Sequence, residues 1–165
     1  FLPSKEWKEE VKGERWYVGD TYHLAIGQGD FLTTPLQMAY ATGIIANDGI
    51  AVTPHILNSQ TSPDEKPIEA LDAHALSVVQ TGMRRTVMSG SARSLSILPF
   101  SVAGKTGTAQ APEPDRLHSW FTGFAPFEDP ELVVVVLVEE GGESTDAAVP
   151  LAKEIFSWWF RVHPN

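Results

Sequence analysis

The chain has 165 residues, and a hydrophobic content of 42% is enough for a single domain with a buried core. Its formal net charge of -9, from 21 acidic against 12 basic residues, argues against a nucleic-acid partner. Cysteine is absent, which excludes disulfides and thiolate metal sites. The longest apolar run, Leu132 to Val138, is too short to cross a bilayer, and the amino terminus has no signal-peptide pattern.

The first half of the chain begins with residues 1 to 33, which are predicted to be loop-rich because glycines recur there. The stretch from Thr34 to Gln37 combines an N-cap, a proline at the first helical position and a capping-box glutamine. It predicts a helix that ends at Asn47 to Gly49 and has one apolar face. That face comprises Leu36, Ala39, Tyr40, Gly43 and Ile44. A short extended segment at 50 to 57 and a polar linker from 58 to 67 are expected to follow.

The second half is predicted to contain two helices and three strands. A helix from Asp72 repeats apolar residues at helical spacing. Its apolar residues are Leu76, Val79, Met83 and Val87. Extended segments follow at roughly 101 to 109, 118 to 125 and 132 to 139, and short connections favour antiparallel neighbours. A last helix, from about Ala147, has an apolar stripe suited to one sheet face. No helix is apparent for the other face.

The segment from Val102 to Ala109 carries the most information about function. It reads Val-Ala-Gly-Lys-Thr-Gly-Thr-Ala, an extended segment with one cation and two hydroxyls. Lys105 and Gly107 face one side of such a strand, with Thr106 and Thr108 on the other. Gly107 lets a ligand backbone approach closely. An edge strand of this kind can bind an extended peptide through main-chain hydrogen bonds while the lysine and threonine side chains hold a carboxylate.

A phosphate-binding P-loop is the main competing interpretation of Gly-Lys-Thr. That motif requires a glycine five residues before Gly104, and this position is Pro99. It also requires a helix after the Lys-Thr pair, whereas Gly107 and the pair Ala111-Pro112 oppose one. The sequence therefore disfavours nucleotide binding here.

In this context the chain resembles a class B penicillin-binding protein of the penicillin-binding protein 2 type, because Lys-Thr-Gly is among the signatures of that family and of serine β-lactamases. Three groups of motifs carry the likeness in the family's order. They are Leu2-Pro3-Ser4, Glu6-Trp7, Trp16-Tyr17, Gly19-Asp20-Thr21 and Ile26 to Gly29; Thr34 to Ala39, Ala46 to Gly49 and Pro54-His55; and Ala103 to Gln110 and His118 to Pro126. The resemblance implies an α+β fold in which helices cover a five-stranded antiparallel sheet. Three of its strands come from this chain and two come from upstream sequence.

Two motifs of the family are missing from the chain. No serine has a lysine three residues later, as the catalytic Ser-x-x-Lys requires; Ser101 has Lys105 at four. No asparagine follows a serine by two residues, as Ser-x-Asn requires. Both motifs precede Lys-Thr-Gly in the family. Residues 1–165 are therefore expected to be the C-terminal part of a single transpeptidase domain, inactive without an N-terminal part that carries both motifs.

The resemblance also assigns roles. Lys105 and Thr108 are the expected catalytic residues, and the expected substrate-binding residues are Lys105, Thr106, Gly107 and Thr108. The implied activity is D,D-transpeptidation, which cross-links peptidoglycan stem peptides by acyl transfer, with acylation by β-lactams. The implied location is outside the cytoplasm, with a membrane anchor beyond this chain. A non-catalytic peptide- or partner-binding module and a serine β-lactamase-like fragment remain as alternatives.

The other polar candidates are interpreted structurally. His118 and Ser119 are adjacent on a strand, so their side chains point to opposite faces and cannot share a proton. His118 is expected to be structural, and Trp120 and Phe121 are expected to be core residues. The remaining histidines show no ligand-like spacing with carboxylates, so neither a metal nor a cofactor is predicted. They are His23, His55, His74 and His163.

Overall fold

The computed structural model describes residues 1–56, 65–68, 71–111, 113 and 115–164. Its internal contacts divide the chain into two units, Phe1–Thr34 and Pro35–Asn165. In the first unit, helix α1 spans Lys5–Trp7 and continues as a π-helical turn over Lys8–Lys12, and helix α2 spans Val18–Ala25. The second unit contains α3 (Pro35–Ala46), β1 (Ile50–Val52), β2 (Glu65–Pro67), α4 (Ala73–Met88), a 3₁₀ turn (Arg93–Ile97), β3 (Ala103–Gln110), β4 (Leu117–Ala125), β5 (Leu132–Val138) and α5 (Ala148–Val162).

The loop-rich interpretation of residues 1 to 33 is right for about half of the segment: Gly13, Gly27 and Gly29 lie in turns, but helical segments occupy Lys5–Lys12 and Val18–Ala25. The hydroxyl of Ser4 accepts the main-chain N–H of Trp7 at 3.1 Å and caps the first turn of α1. At the start of α2, the carboxylate of Asp20 accepts the main-chain N–H of Tyr17 at 2.7 Å. Gly13 adopts a left-handed conformation, with φ 68°, and ends the π-helical turn. These local contacts mark where the helical segments begin and end.

A partly buried ion pair joins the π-helical turn after α1 to α2 within this unit. Lys8 is only 6% exposed, and its Nζ lies 2.8 and 2.7 Å from the two carboxylate oxygens of Asp20. Glu14 lies 3.5 Å from the same Nζ. The hydrogen bond from Lys8 holds the pKa of Asp20 below its ordinary value, and the same bond raises the pKa of Lys8.

We expect Asp20→Asn to lower the thermal midpoint at neutral pH and to flatten its acid dependence. Asp20 has a depressed folded pKa, so its stabilisation is present above its ordinary value of 3.8 and is lost as pH falls through the folded pKa. The pKa of Lys8 is raised, so the pH dependence of its contribution has the opposite sign. That stabilisation is present below the ordinary lysine pKa of 10.5 and is lost as pH rises through the folded pKa.

Thermal unfolding followed between pH 2 and pH 7 by circular dichroism measures the effect of Asp20→Asn. Asp30→Asn is the matched control, because Asp30 pairs with the partly exposed Lys12 at 2.6 Å and such surface pairs contribute little. An acid dependence that is identical in Asp20→Asn and the parent protein would contradict the stabilising role of the Lys8–Asp20 pair.

The main sheet of the second unit has the order β3-β4-β5 and is antiparallel throughout, as the three extended segments predicted. Lys105 of β3 lies opposite Thr122 of β4, and Thr108 lies opposite Ser119. β3 therefore forms one edge of the described sheet. β1 and β2 pair separately as a two-stranded antiparallel ribbon. The strand Glu65–Pro67 lies where a linker was expected, and the rest of that segment lies outside the described residues.

Helices cover both faces of the main sheet. α5 packs on β4 and β5, and its Phe156 meets Phe121 edge to face at a centroid distance of 6.5 Å. On the other face, α3 packs on β4 and β5, while α4 packs along β3 and contributes a residue to the core on each side. The expectation that this chain supplies no helix for the second face was therefore wrong. The core on the α5 side includes Val87, Leu95, Val102, Phe121, Val134, Val136, Val149 and Phe156, and the core on the other side includes Ala46, Met83, Ala103 and Phe124.

The predicted helices form, but not every predicted face is buried. Asp72 caps α4 by accepting the N–H of Ala75 at 2.8 Å. In α3 the buried residues are Thr42 and Ala46, and the hydroxyl of Thr42 lies 2.6 Å from that of Thr122 on β4. The predicted apolar face of α3 instead lines an open pocket of about 190 Å³ together with β1 and the residues after it. Its lining residues are Leu36, Ala39, Tyr40, Gly43, Val52 and Pro54.

Gly123, in the second half of β4, has no room for a side chain. A Cβ there would lie 2.5 Å from the main-chain oxygen of Ala103 and 2.8 Å from the ring of Phe121. We expect Gly123→Ala to lower the free energy of unfolding by about 2–4 kcal/mol, because the clash is with main chain in the central strand.

Gly82→Ala is the matched control for Gly123→Ala, measured in the same urea titration. A Cβ at Gly82, in α4, meets nothing within 4 Å. Alanine there should raise the free energy of unfolding by about 0.5–1 kcal/mol, since glycine is the poorer helix former. Equal midpoints for the two variants would show that the close approach at Gly123 is not a constraint.

Candidate active-site edge

The outer edge of β3 presents main-chain groups that do not point to β4. The carbonyl of Leu117 faces the β5 side of β4, where it accepts a main-chain N–H from the loop after β5 at 3.1 Å. Main-chain groups alternate in direction along a strand, so those of Thr122 point the other way, to β3. Thr122 lies opposite Lys105. The main-chain groups of Lys105 therefore pair with β4, and those of Thr106 and Thr108 point to the outer edge.

Lys105 extends its ammonium group to this edge. Its side chain is exposed and begins on the sheet face that carries Thr122, and its Nζ donates to the carbonyl oxygen of Thr106 at 2.6 Å. The hydrogen bond brings the positive charge beside the outward-pointing main chain of Thr106 and Thr108. The charge of Lys105 and the main chain of Thr106 and Thr108 therefore meet at one edge.

Thr106 is anchored by a residue that the sequence did not single out. Its side chain lies on the α5 face, opposite Phe121, and is buried. Its hydroxyl lies 2.6 Å from the hydroxyl of Ser91, in the turn after α4. The sequence marks Ser91 only as part of a helix-breaking turn, since a contact across fifteen residues of chain leaves no local pattern. A substrate contact of Thr106 on the Lys105 side would therefore use its main chain.

Gly107 and Thr108 complete the edge. A Cβ at Gly107 would meet only the Cβ of Trp120, at 3.4 Å, so the space over this residue is not filled by the fold. Thr108 is half-buried, and its hydroxyl donates to Oε2 of Glu143 at 3.2 Å. Glu143 belongs to the loop between β5 and α5. No local sequence pattern marks this glutamate either.

The neighbouring His118 and Ser119 do not form a catalytic pair. His118 accepts the main-chain N–H of Glu140 at Nδ1, 3.2 Å away. Ser119 is fully buried, and its hydroxyl accepts the N–H of Ala148 at 3.0 Å at the start of α5. Both side chains therefore bind main-chain groups near the start of β4, and a structural role for His118 remains the prediction. Phe121 is a core residue as predicted, whereas Trp120 is only half-buried.

No helix in the described ranges is both long and apolar enough to span a membrane. The same ranges contain no group of three or more His, Asp and Glu side chains placed to hold a metal ion.

An antiparallel sheet with helices on both faces and a Lys-Thr-Gly-Thr edge strand is the fold of a penicillin-binding transpeptidase. The family described as "Penicillin binding protein transpeptidase domain" matches residues 4–157. The chain therefore belongs to this family, and the resemblance to the class B, penicillin-binding protein 2 type is confirmed.

Similar proteins include the peptidoglycan D,D-transpeptidase MrdA of Haemophilus influenzae, 32% identical over 96% of this chain and 28% of that protein. The crystal structure of Pseudomonas aeruginosa PBP2 in complex with WCK 5153 is similar at 35% identity and a TM-score of 0.84, over 97% of this chain and 38% of that one. Helicobacter pylori PBP2 in complex with MreC is similar at 34% identity and a TM-score of 0.83, over 96% and 30%. The chain thus spans little more than a quarter of the curated relative's length.

Proposed function

We propose that this chain forms one wall of the active site of a peptidoglycan D,D-transpeptidase, with the β3 edge holding the stem peptide or a β-lactam. The observation that carries the proposal is the convergence of the Lys105 ammonium group with the outward-pointing main chain of Thr106 and Thr108. An extended peptide can form main-chain hydrogen bonds with such an edge, and its carboxylate can form an ion pair with the ammonium group of Lys105.

Acyl transfer needs a group that stabilises the oxyanion formed when a nucleophile attacks a carbonyl. The main-chain N–H of Thr108 points to the edge where this oxygen would lie, and the hydroxyl of Thr108 can donate to a ligand carboxylate. Gly107 leaves space for the ligand backbone. Lys105 supplies the fixed positive charge. The family resemblance and this geometry support the same four residues: Lys105, Thr106, Gly107 and Thr108.

The nucleophile and its base are proposed to lie outside residues 1–165. Ser101, the serine nearest to Lys105 in sequence, donates its hydroxyl to Glu128 and accepts the N–H of Phe127 at 2.9 Å. Ser101, which precedes β3, is thus held against the turn after β4. A Ser-x-x-Lys serine from the remaining polypeptide would attack the substrate carbonyl, expel the leaving group and pass the acyl group to an amine. We place the assembled enzyme outside the cytoplasm, anchored by sequence beyond this chain.

Labelling of the complete polypeptide with a fluorescent penicillin tests this proposal. We expect a covalent adduct that survives denaturing electrophoresis and is suppressed by excess unlabelled penicillin. Heat-denatured protein is the control for non-specific labelling. Correctly folded protein that takes up no label would contradict the transpeptidase assignment and favour an edge that binds peptides without turnover.

A further inference from the structure

The outer edge of β3 is bordered at its start by α4 and by the turn that follows this helix. The guanidinium group of Arg84, in α4, donates to the carbonyl oxygen of Val102, just before β3, at 2.9 Å. Ser91 lies in the turn after the helix, and the next residue, Ala92, is fully buried in the same core as Phe121. The turn is therefore placed beside the candidate site, on the α5 side of the sheet.

The turn that carries Ser91 is tightly held. The main-chain N–H of Ala92 donates to the carbonyl oxygen of Thr86 at 3.1 Å, and the N–H of Arg93 donates to the carbonyl oxygen of Gly90 at 3.3 Å. A Cβ at Gly90 would lie 2.9 Å from main-chain atoms of Thr86, so the turn is in close contact with the end of α4. The position of Ser91 is therefore set by the fold, although the residue is exposed.

Two hydrogen bonds meet at Thr106, one at its side chain and one at its main chain. Oγ of Ser91 lies 2.6 Å from Oγ1 of Thr106. Thr106 is buried on the α5 face, where a hydroxyl without a partner is unfavourable. Its carbonyl oxygen accepts from Nζ of Lys105 at 2.6 Å. Ser91 thus holds the residue whose carbonyl holds the ammonium group at the edge.

We propose that Ser91 is a positioning residue for Lys105. Through the hydroxyl of Thr106 it sets the direction of the Thr106 carbonyl, and with it the place of the ammonium group. This inference rests on the proposed function, since it concerns the cation proposed to hold a ligand carboxylate. Ser91→Ala leaves the buried hydroxyl of Thr106 to find another partner by rotating its side chain or shifting the strand. The ammonium group then keeps its charge but loses its fixed position.

The test compares second-order acylation rate constants of the complete protein for benzylpenicillin and for its neutral methyl ester. In Ser91→Ala the benzylpenicillin constant should fall about tenfold, less than the roughly hundredfold that a displacement of about 1 Å can cost. The ester has no carboxylate for Lys105 to hold, so its constant should stay close to the parent value. The ratio of the two constants is independent of the folded fraction of the sample.

Two further variants separate positioning from a purely structural role. Ser91→Thr keeps the hydroxyl and should restore the parent ratio, because the exposed position has room for a methyl group. Ser89→Ala is the matched control. The hydroxyl of Ser89 lies in the same turn and donates to the carbonyl oxygen of Arg85, in α4, at 3.4 Å. Its removal should leave the ratio unchanged.

The proposed function and the role of Ser91 fail in different ways. A parent protein that no β-lactam acylates contradicts the proposed function and this inference with it. A parent protein that is acylated, with Ser91→Ala reacting at the parent rate, overturns the role of Ser91 alone. That role is also overturned if Ser91→Ala slows benzylpenicillin and the ester equally, if Ser91→Thr fails to restore the ratio, or if Ser89→Ala lowers the ratio as much.

Discussion

Replacing Lys105 with alanine is expected to slow acylation of the complete protein by penicillin by two to three orders of magnitude. The ammonium group is the cation that reaches the edge of β3, where its Nζ donates to the carbonyl of Thr106 at 2.6 Å. Its loss removes the charge proposed to hold the ligand carboxylate, and single electrostatic groups of this kind contribute about a hundredfold or more. Stopped-flow or fluorescent-penicillin kinetics measure the effect.

The fold should not need the charge of Lys105, because the side chain is exposed and the strand is paired with β4 through main-chain groups. Lys105→Ala is therefore expected to unfold within a few degrees of the parent protein. Lys153→Ala, which removes a lysine from α5, is the matched control and should react at the parent rate. Unchanged acylation in Lys105→Ala would remove Lys105 from the site.

A second large effect is expected from Thr108→Pro, which removes the main-chain N–H proposed to donate a hydrogen bond to the oxyanion. Proline has no N–H and is tolerated on edge strands where that group faces away from the sheet. The main-chain groups of Thr108 point to the outer edge, so the ladder with β4 should persist. Acylation should fall by about a hundredfold or more relative to Thr108→Ala, which loses only the hydroxyl. The comparison isolates the N–H, and the same acylation kinetics measure it.

Gln110→Pro is the matched control for Thr108→Pro. Gln110 lies two residues further along β3, so its main-chain groups point to the same edge, and it is the last residue of the strand. It should react at close to the parent rate. If Gln110→Pro and Thr108→Pro lose acylation equally, the loss reflects damage to the strand and the oxyanion role of Thr108 is contradicted.

The sheet and the candidate edge could be predicted from the sequence because their signals are local. The β-branched run Val133–Val136 indicates a strand without reference to the rest of the chain. Thr34 to Gln37 and Asp72 mark helix starts through capping chemistry that acts within one turn. Lys105 and Thr108 are predicted from the family's Lys-Thr-Gly signature, which is itself a short local motif.

The residues that sequence reasoning missed act through contacts between distant segments. Lys8 meets Asp20, Ser91 meets Thr106, and Glu143 meets Thr108 only after folding. Apolar periodicity predicts the wrong buried face for α3. The helix instead buries Thr42, whose hydroxyl finds a partner in the hydroxyl of Thr122 on β4. A buried polar residue with a long-range partner leaves no periodic signal.

The central claim is that the β3 edge of this chain serves a nucleophile that lies outside residues 1–165. Mass-spectrometric mapping of the penicillin-acylated residue in the complete protein tests it most directly. We expect the adduct on a serine followed by lysine three positions later, on a peptide outside this chain. An adduct on a serine within residues 1–165, such as Ser91 or Ser101, would contradict the claim.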